Sequence, residues 1–207
     1  MIFILLPVGK MQNWSYIFAD PESLEGMIID PAFDAEKILK AVKDNKINPV
    51  RIILTHHHYD HINATKAIKT HSGAEVFCHR ETATLLHGEA SYDSLINDND
   101  LFRIGRYEVR CLHTPGHAPG SLCLEIADRW LITADTLFIN DCGRADLPGS
   151  DPKALFKSLQ RLKEMPDHLI VCPGHDYGPI KSRTLGEEKR SNPALMAASY
   201  ADFLKLP

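Results

Sequence analysis

The stretch THHHYDH, from Thr55 to His61, sets four histidines and an aspartate in seven positions. Neutral imidazoles and carboxylates are ligands for zinc, iron and related divalent ions, and so many in one turn would be poorly compensated without a positive charge among them. No regular element serves the whole set. A strand puts residues 56, 58 and 60 on one side and throws His61 to the other, whereas a helix aligns 56 with 60 and turns 58 nearly opposite. A tight loop that leaves a strand and enters a helix near His61 can aim His56, His58, Asp60 and His61 inward together. Metal chemistry is the implication.

The layout recurs downstream, which constrains the elements that must position these groups. The apolar runs VRIILT, YEVRCL, RWLIT and HLIVC predict strands over 50–55, 107–112, 129–133 and 168–172, and each is followed by ligand-type residues. The first runs into the histidine cluster, the second into HTPGH with His117, the third into Asp135, and the fourth into Pro173, Gly174 and His175. The carboxyl edge of such strands is where α/β proteins build their sites. Around them, SYIFAD and GMIID flank DPESLEG as a hairpin. DAEKILKAVKDN reads as a helix with Asp34 as N-cap and Ile38, Leu39 and Val42 on one face. ATKAIKTH reads as a second helix and EVFCH as a strand. The polar segment 80–100 gives no clear pattern. Asp151 and Pro152 start a helix that lines Leu155, Phe156, Leu159 and Leu162 along one face. The initial MIFILLPV lacks a basic leader and a cleavage site and reads as a buried strand. Layered α/β is the expected class.

Composition bounds the function. A chain of 207 residues with 44% hydrophobic and 24% charged residues is ordinary globular material, expected to form one domain over 1–207. Net charge is -4 and no basic run stands out, which argues against nucleic acid as a partner. No stretch approaches membrane-spanning length, so no membrane partner is expected either. Five cysteines, odd in number and without a CxxC pair, argue against a disulfide framework and a thiolate zinc site. A reducing, cytoplasmic location is the expectation.

At this point the residues resemble a known family. THHHYDH matches the H-x-H-x-D-H signature of the metallo-β-lactamase superfamily, and TPGH, the aspartate of TAD and the histidine of PGHD follow in the family's order. The resemblance spans most of the chain. It implies an αββα sandwich, with two packed mixed β-sheets, helices on the outer faces and the site along one edge. It further implies a first metal held by His56, His58 and His117, a second by Asp60, His61 and His175, and Asp135 bridging. Two divalent ions are expected, zinc first, with iron or manganese as alternatives. In such centres a water shared by metals roughly 3.5–4 Å apart becomes a hydroxide nucleophile near neutral pH. Asp60 is the candidate to orient it. Asp30 of IIDP corresponds to the family's early aspartate, with a structural role, although Ala32 stands where the family has glycine. His57 is expected to be a solvent-facing or backbone-bonded filler, and His113 a satisfied, partly buried residue. His71, His79, His87 and His168 fall outside the motifs.

The stretch TADTLFINDCGRADLPGSDPKALFKSL resembles the glyoxalase II-related branch of that superfamily, and two enzyme readings follow. One is a metal-dependent hydrolase acting on a thioester such as an acylglutathione. The other is a persulfide dioxygenase, which the chain resembles in CGRAD, PGHDYG and GEEKRSNP, and which would hold a single Fe(II) with His56, His117 and Asp135. Either implies a small thioester or thiol-derived substrate, and the resemblance allows a homodimer. GRADLPG stands where the glutathione-specific enzymes carry GRxFEGT, and their longer helical C-terminal extension is not seen. Arg144, Tyr177, Lys181 and Arg183 are the candidates to meet a carboxylated thiol. Seven ligands for two ions leave coordination positions open, which favours catalysis over a closed structural site.

Overall fold

The computed structural model describes residues 1–88 and 90–206. Its first sheet runs in chain order through β1 (Ile2–Val8), β2 (Asn13–Ala19), β3 (Glu25–Ile29), β4 (Asn48–Leu54), β5 (Glu75–His79) and β6 (Ser94–Ile96). The first three strands are antiparallel neighbours and β3 to β6 are parallel. The second sheet takes β7 (Leu101–Ile104), β8 (Tyr107–His113), β9 (Leu122–Ile126) and β10 (Trp130–Ala134) as an antiparallel meander. A short ribbon, β11 (Leu137–Phe138) and β12 (Asp141–Cys142), follows. The chain then returns as β13 (Ile170–Pro173), parallel to β10, with β14 (Arg183–Thr184) at the edge.

Period-two side-chain alternation divides the apolar residues into three layers. Met27, Ile29 and Ile53 of the first sheet face Val109, Leu124 and Ile132 of the second across a dry interior. Their neighbours Ile28 and Ile52 point outward and pack with Ile38 of α1 (Ala35–Asp44) and Ile68 of α3 (Thr65–Ser72). Between those helices lies the single turn α2 (Tyr59–Ile62). A short α4 (Arg80–Thr84) precedes β6. On the far side, Leu131 and Val171 meet Leu155, Leu159 and Leu162 of α5 (Pro152–Lys163). The C-terminal helices α6 (Leu185–Ser191), α7 (Pro193–Met196) and α8 (Tyr200–Phe203) extend that layer. Burying each Leu or Ile side chain contributes roughly 1.5–3 kcal/mol, so these stripes fix the order helix, sheet, sheet, helix. This is the αββα sandwich. Among the described residues no helix is long and apolar enough to cross a membrane.

Several local expectations need correction. β1 is an edge strand and mostly half-buried, because Phe3 and Leu5 meet one layer while Ile4 and Leu6 meet the other at the margin of the sheet. Asp34 occupies the N-cap position of α1, but its side chain accepts no capping hydrogen bond. Asp151 does cap α5, accepting from the amides of Lys153 and Ala154 at 2.8 and 3.1 Å. The 80–100 segment holds α4 and β6, with residue 89 outside the described residues.

Candidate metal centre

All seven ligand-type residues singled out by the sequence converge at the carboxyl ends of four strands. β4 leads into His56 and His58, and the first turn of α2 carries Asp60 and His61. His117 follows β8, Asp135 follows β10 and His175 follows β13. Backbone strain accompanies the convergence: Asp30 and Ala134, just before Asp135, have φ of 47° and 44°. Such left-handed conformations in non-glycine residues persist where the surroundings over-determine them.

Three donor sets result, with ligand atoms within 4.8 Å of one another: His56, His58 and His117; Asp60, His61 and His175; and Asp30 with His56 and His61. Asp30 is already committed elsewhere. Its Oδ1 accepts the Thr55 amide at 2.7 Å, and its Oδ2 accepts the Thr55 hydroxyl at 2.6 Å and faces His61 Nδ1 at 3.2 Å. It acts behind His61. Asp135 joins the other two sets: Oδ2 lies 3.5 Å from His117 Nε2 and 3.3 Å from His175 Nε2, and Oδ1 lies 3.4 Å from His61 Nε2.

The hydrogen bonds behind the rings decide which nitrogen carries a lone pair. His117 Nδ1 donates to the Arg144 carbonyl at 2.8 Å, His175 Nδ1 to the Met11 carbonyl at 2.9 Å, and His61 Nδ1 to Asp30. The Thr55 hydroxyl spends its proton on Asp30 and so accepts from His56 Nδ1 at 3.0 Å. Each Nε2 therefore presents a bare lone pair to the centre. Two of those lone pairs face each other, with His61 Nε2 3.1 Å from His175 Nε2, and His117 Nε2 faces His58 Nδ1 at 2.9 Å. Buried His56 Nε2 and Asp135 Oδ1 have no hydrogen-bond partner at all. Opposed lone pairs and orphaned buried acceptors are repulsive unless a cation lies among them, so the donor set fits divalent metal.

Electrostatics agree. Burial, reinforced by His61, holds His56 well below the ordinary imidazole value, and burial beside His117 lowers His58 to about 4, so both remain neutral bases. Burial opposes ionisation of Asp135, but His61 and His175 outweigh it and keep the carboxyl well below its usual range. Burial likewise opposes a charge on His61, yet Asp135 and Asp30 pull its pKa upward. A field that attracts a proton there attracts a metal cation equally well.

Residues 8–175 match the metallo-beta-lactamase superfamily, and the chain belongs to it. Hydroxyacylglutathione hydrolase GloC of Haemophilus influenzae is 30% identical over 94% of this chain and 98% of its own. The crystal structure of ETHE1 from Myxococcus xanthus superposes with a TM-score of 0.89 at 28% identity, covering 100% of this chain and 92% of that one. TTHA1623, solved in a di-iron-bound form, is 31% identical with a TM-score of 0.79, covering 92% and 98%. These relatives place the protein among the enzymes of the glyoxalase II-like branch.

Above the ligand sets opens a cleft of about 690 Å³. Of the four residues proposed from sequence to meet substrate, Arg144 and Tyr177 line it and Lys181 and Arg183 do not. Tyr177 stacks on the His175 ring at 4.5 Å between centroids. Lys181 reaches over the Trp14 ring at 5.5 Å. Arg183 is spent inside the fold, with Nε on Glu188 at 2.6 Å and Nη2 on Asn140 and Ser191. His57 also departs from expectation, since it is half-buried at the cleft wall and its Nδ1 has no hydrogen-bond partner. His113 is satisfied through the Pro119 carbonyl at 2.8 Å.

Sequence reading missed Asn13, whose Nδ2 donates to Asp60 Oδ2 at 2.8 Å from 47 residues away. It also missed Tyr16, whose buried hydroxyl donates to the Pro173 carbonyl at 2.5 Å beneath the loop of His175. Trp14 donates its amide to the Gly174 carbonyl at 2.8 Å, so the start of β2 holds that loop in place. Strand β2 is readable as apolar, but nothing local marks its first residues as supports for groups so distant in sequence.

Proposed function

We propose that the protein is a metal-dependent hydrolase of thioesters, with His56, His58 and His117 holding one divalent ion, Asp60, His61 and His175 a second, and Asp135 between them. Zinc is the first expectation, and iron or manganese suits the same donors. When bound, the ions supply the activation of water and the polarisation of a carbonyl. The chain's own groups do the rest. Asn13 fixes one oxygen of Asp60, which borders the cleft and is the proposed catalytic residue that orients the nucleophile. The back hydrogen bonds of His56, His61, His117 and His175 hold their rings in one tautomer.

The observation that carries this reading is the second donor set. A single Fe(II) on His56, His117 and Asp135 would use none of Asp60, His61 and His175, although those three are held in ligating geometry by Asn13, Asp30 and the Met11 carbonyl. The test is metal analysis of protein purified without chelators, run beside S-lactoylglutathione hydrolysis and oxygen uptake with glutathione persulfide. About two metals per chain with thioester turnover and no oxygen consumption is the expected result. Replacing His58 by Ala sharpens it, removing metal and thioesterase activity together. A His58→Ala protein that keeps one equivalent of iron and consumes oxygen with a persulfide overturns the proposal in favour of the dioxygenase.

A further inference from the structure

The apolar part of the cleft lining, beside the ligand sets, has a chemistry of its own. Met11, Tyr59, Phe138, Leu147, Pro148 and Tyr177 line it. Three of them are unusually open for their size, with Met11 50%, Tyr59 61% and Tyr177 56% exposed. Large apolar side chains gathered around one mouth mark a surface that is covered in use. Phe138 meets Tyr177 edge-on at 5.6 Å, so these two rings form one aromatic surface.

Charge in the same lining is scarce and already matched. Among the described residues that line the cleft, Arg144 is the one Lys or Arg side chain. Its guanidinium is engaged by both oxygens of Asp146, at 2.7 and 2.8 Å. Exposed Asp141 adds a negative charge to the same lining. Arg183 is held inside the fold and Lys181 lies off the cleft, as described above. A glutathione carrier brings two carboxylates, and among the described lining residues the one Lys or Arg already has a carboxylate partner.

We infer that this cleft selects a thioester with an apolar acyl group on an uncharged thiol carrier, the acyl chain lying against Phe138, Leu147 and Tyr177. The inference rests on the thioesterase reading of the same site and narrows its substrate class. Transfer of apolar surface from water contributes about fourfold in affinity for each methylene that becomes buried.

Non-hydrolysable thioethers test the assignment without depending on turnover. Calorimetric titration of the zinc-loaded protein with S-methyl- and S-hexyl-N-acetylcysteamine should show at least a roughly thirtyfold gain for the hexyl chain, and S-hexylglutathione should bind no tighter than the uncharged analogue. Leu147→Asp, with folding checked by its melting transition, should weaken the hexyl compound about tenfold or more. S-hexylglutathione binding tenfold tighter than its uncharged counterpart, no response to chain length, or an unchanged affinity in Leu147→Asp would each overturn the inference. Hydrolysis of the matching acyl thioesters is measured separately. Binding as expected with no thioester hydrolysed supports the preference of the cleft for an apolar chain on an uncharged carrier and sinks the hydrolase reading, whereas hydrolysis with a preference for S-lactoylglutathione upholds the hydrolase and overturns the inference.

Discussion

Floor and rim of the cleft are held in different ways. At the floor, His56 and His61 are fully buried, His117 and His175 nearly so, and each ring is fixed from behind by a carbonyl, a hydroxyl or Asp30. At the rim, Tyr59 at the start of α2, Arg144 after β12 and Tyr177 after β13 are exposed, and Arg144 pairs with its near neighbour Asp146. An exposed ion pair of that kind contributes little to stability, at most about 1 kcal/mol, so it satisfies Arg144 locally without bracing the fold. The floor is preorganised for one task, while the side chains of Tyr59, Arg144 and Tyr177 lend the ligand rings no hydrogen bond. Selectivity of the kind inferred for the acyl group therefore belongs to the rim, and chemistry to the floor.

The contrast predicts a ranking of substitutions by their effect on turnover. Asp60→Ala should have the largest, a loss of roughly 10³-fold in thioester hydrolysis. Its melting temperature should shift by only about 2–4 °C, since one hydrogen bond to Asn13 is lost. Near wild-type turnover in a folded protein would break the assignment of Asp60. Gly174→Ala comes next. A Cβ there would lie 2.1 Å from Asp135 Oδ1 and 3.0 Å from His61 Cε1, so the carboxylate between the two donor sets must move. A displacement of that size costs on the order of 10²-fold in activity, accompanied by metal loss on dialysis. Asn13→Ala, which removes a support and no ligand, should lower metal affinity by about tenfold, read by competition with a chromophoric chelator.

Sequence legibility follows the same line. The floor was readable because metal ligation restricts residue types, and because His117, Asp135 and His175 each follow within five residues of an apolar run that reads as a strand. The layers were readable because short continuous apolar runs such as VRIILT and HLIVC are a local property of the chain and mark strands covered on both faces. Supports arriving from far away were not. Asn13 and Tyr16 sit in β2, and their partners Asp60 and Pro173 lie in other elements, so no spacing announces them. The ribbon of β11 and β12 turns on Asn140 at φ 64°, and it carries Phe138 and Cys142 to the cleft from a stretch too short to show a period. Basic residues near the C-terminus were misread for the opposite reason, since exposure and pairing of an arginine are decided only by the fold.

Arg183 supplies the smallest predicted effect on catalysis and the sharpest test of the contrast. Its guanidinium meets Glu188, which is completely buried in α6 and also accepts from the Asn140 amide at 2.9 Å and from Asn192 Nδ2 at 2.7 Å. Removing one partner of a buried ion pair costs roughly 3–5 kcal/mol, because the remaining charge stays desolvated. The two surviving donors on Glu188 place Arg183→Ala at the low end of that range. Urea denaturation should therefore show a loss of about 3 kcal/mol. The kcat/KM of the folded fraction for a thioester should stay within about twofold of wild type, since Arg183 lines no part of the cleft and Asn140 keeps its amide bond to Glu188. A tenfold rise in KM with unaltered stability would return Arg183 to the substrate and dissolve the boundary drawn between the structural arginine and the cleft.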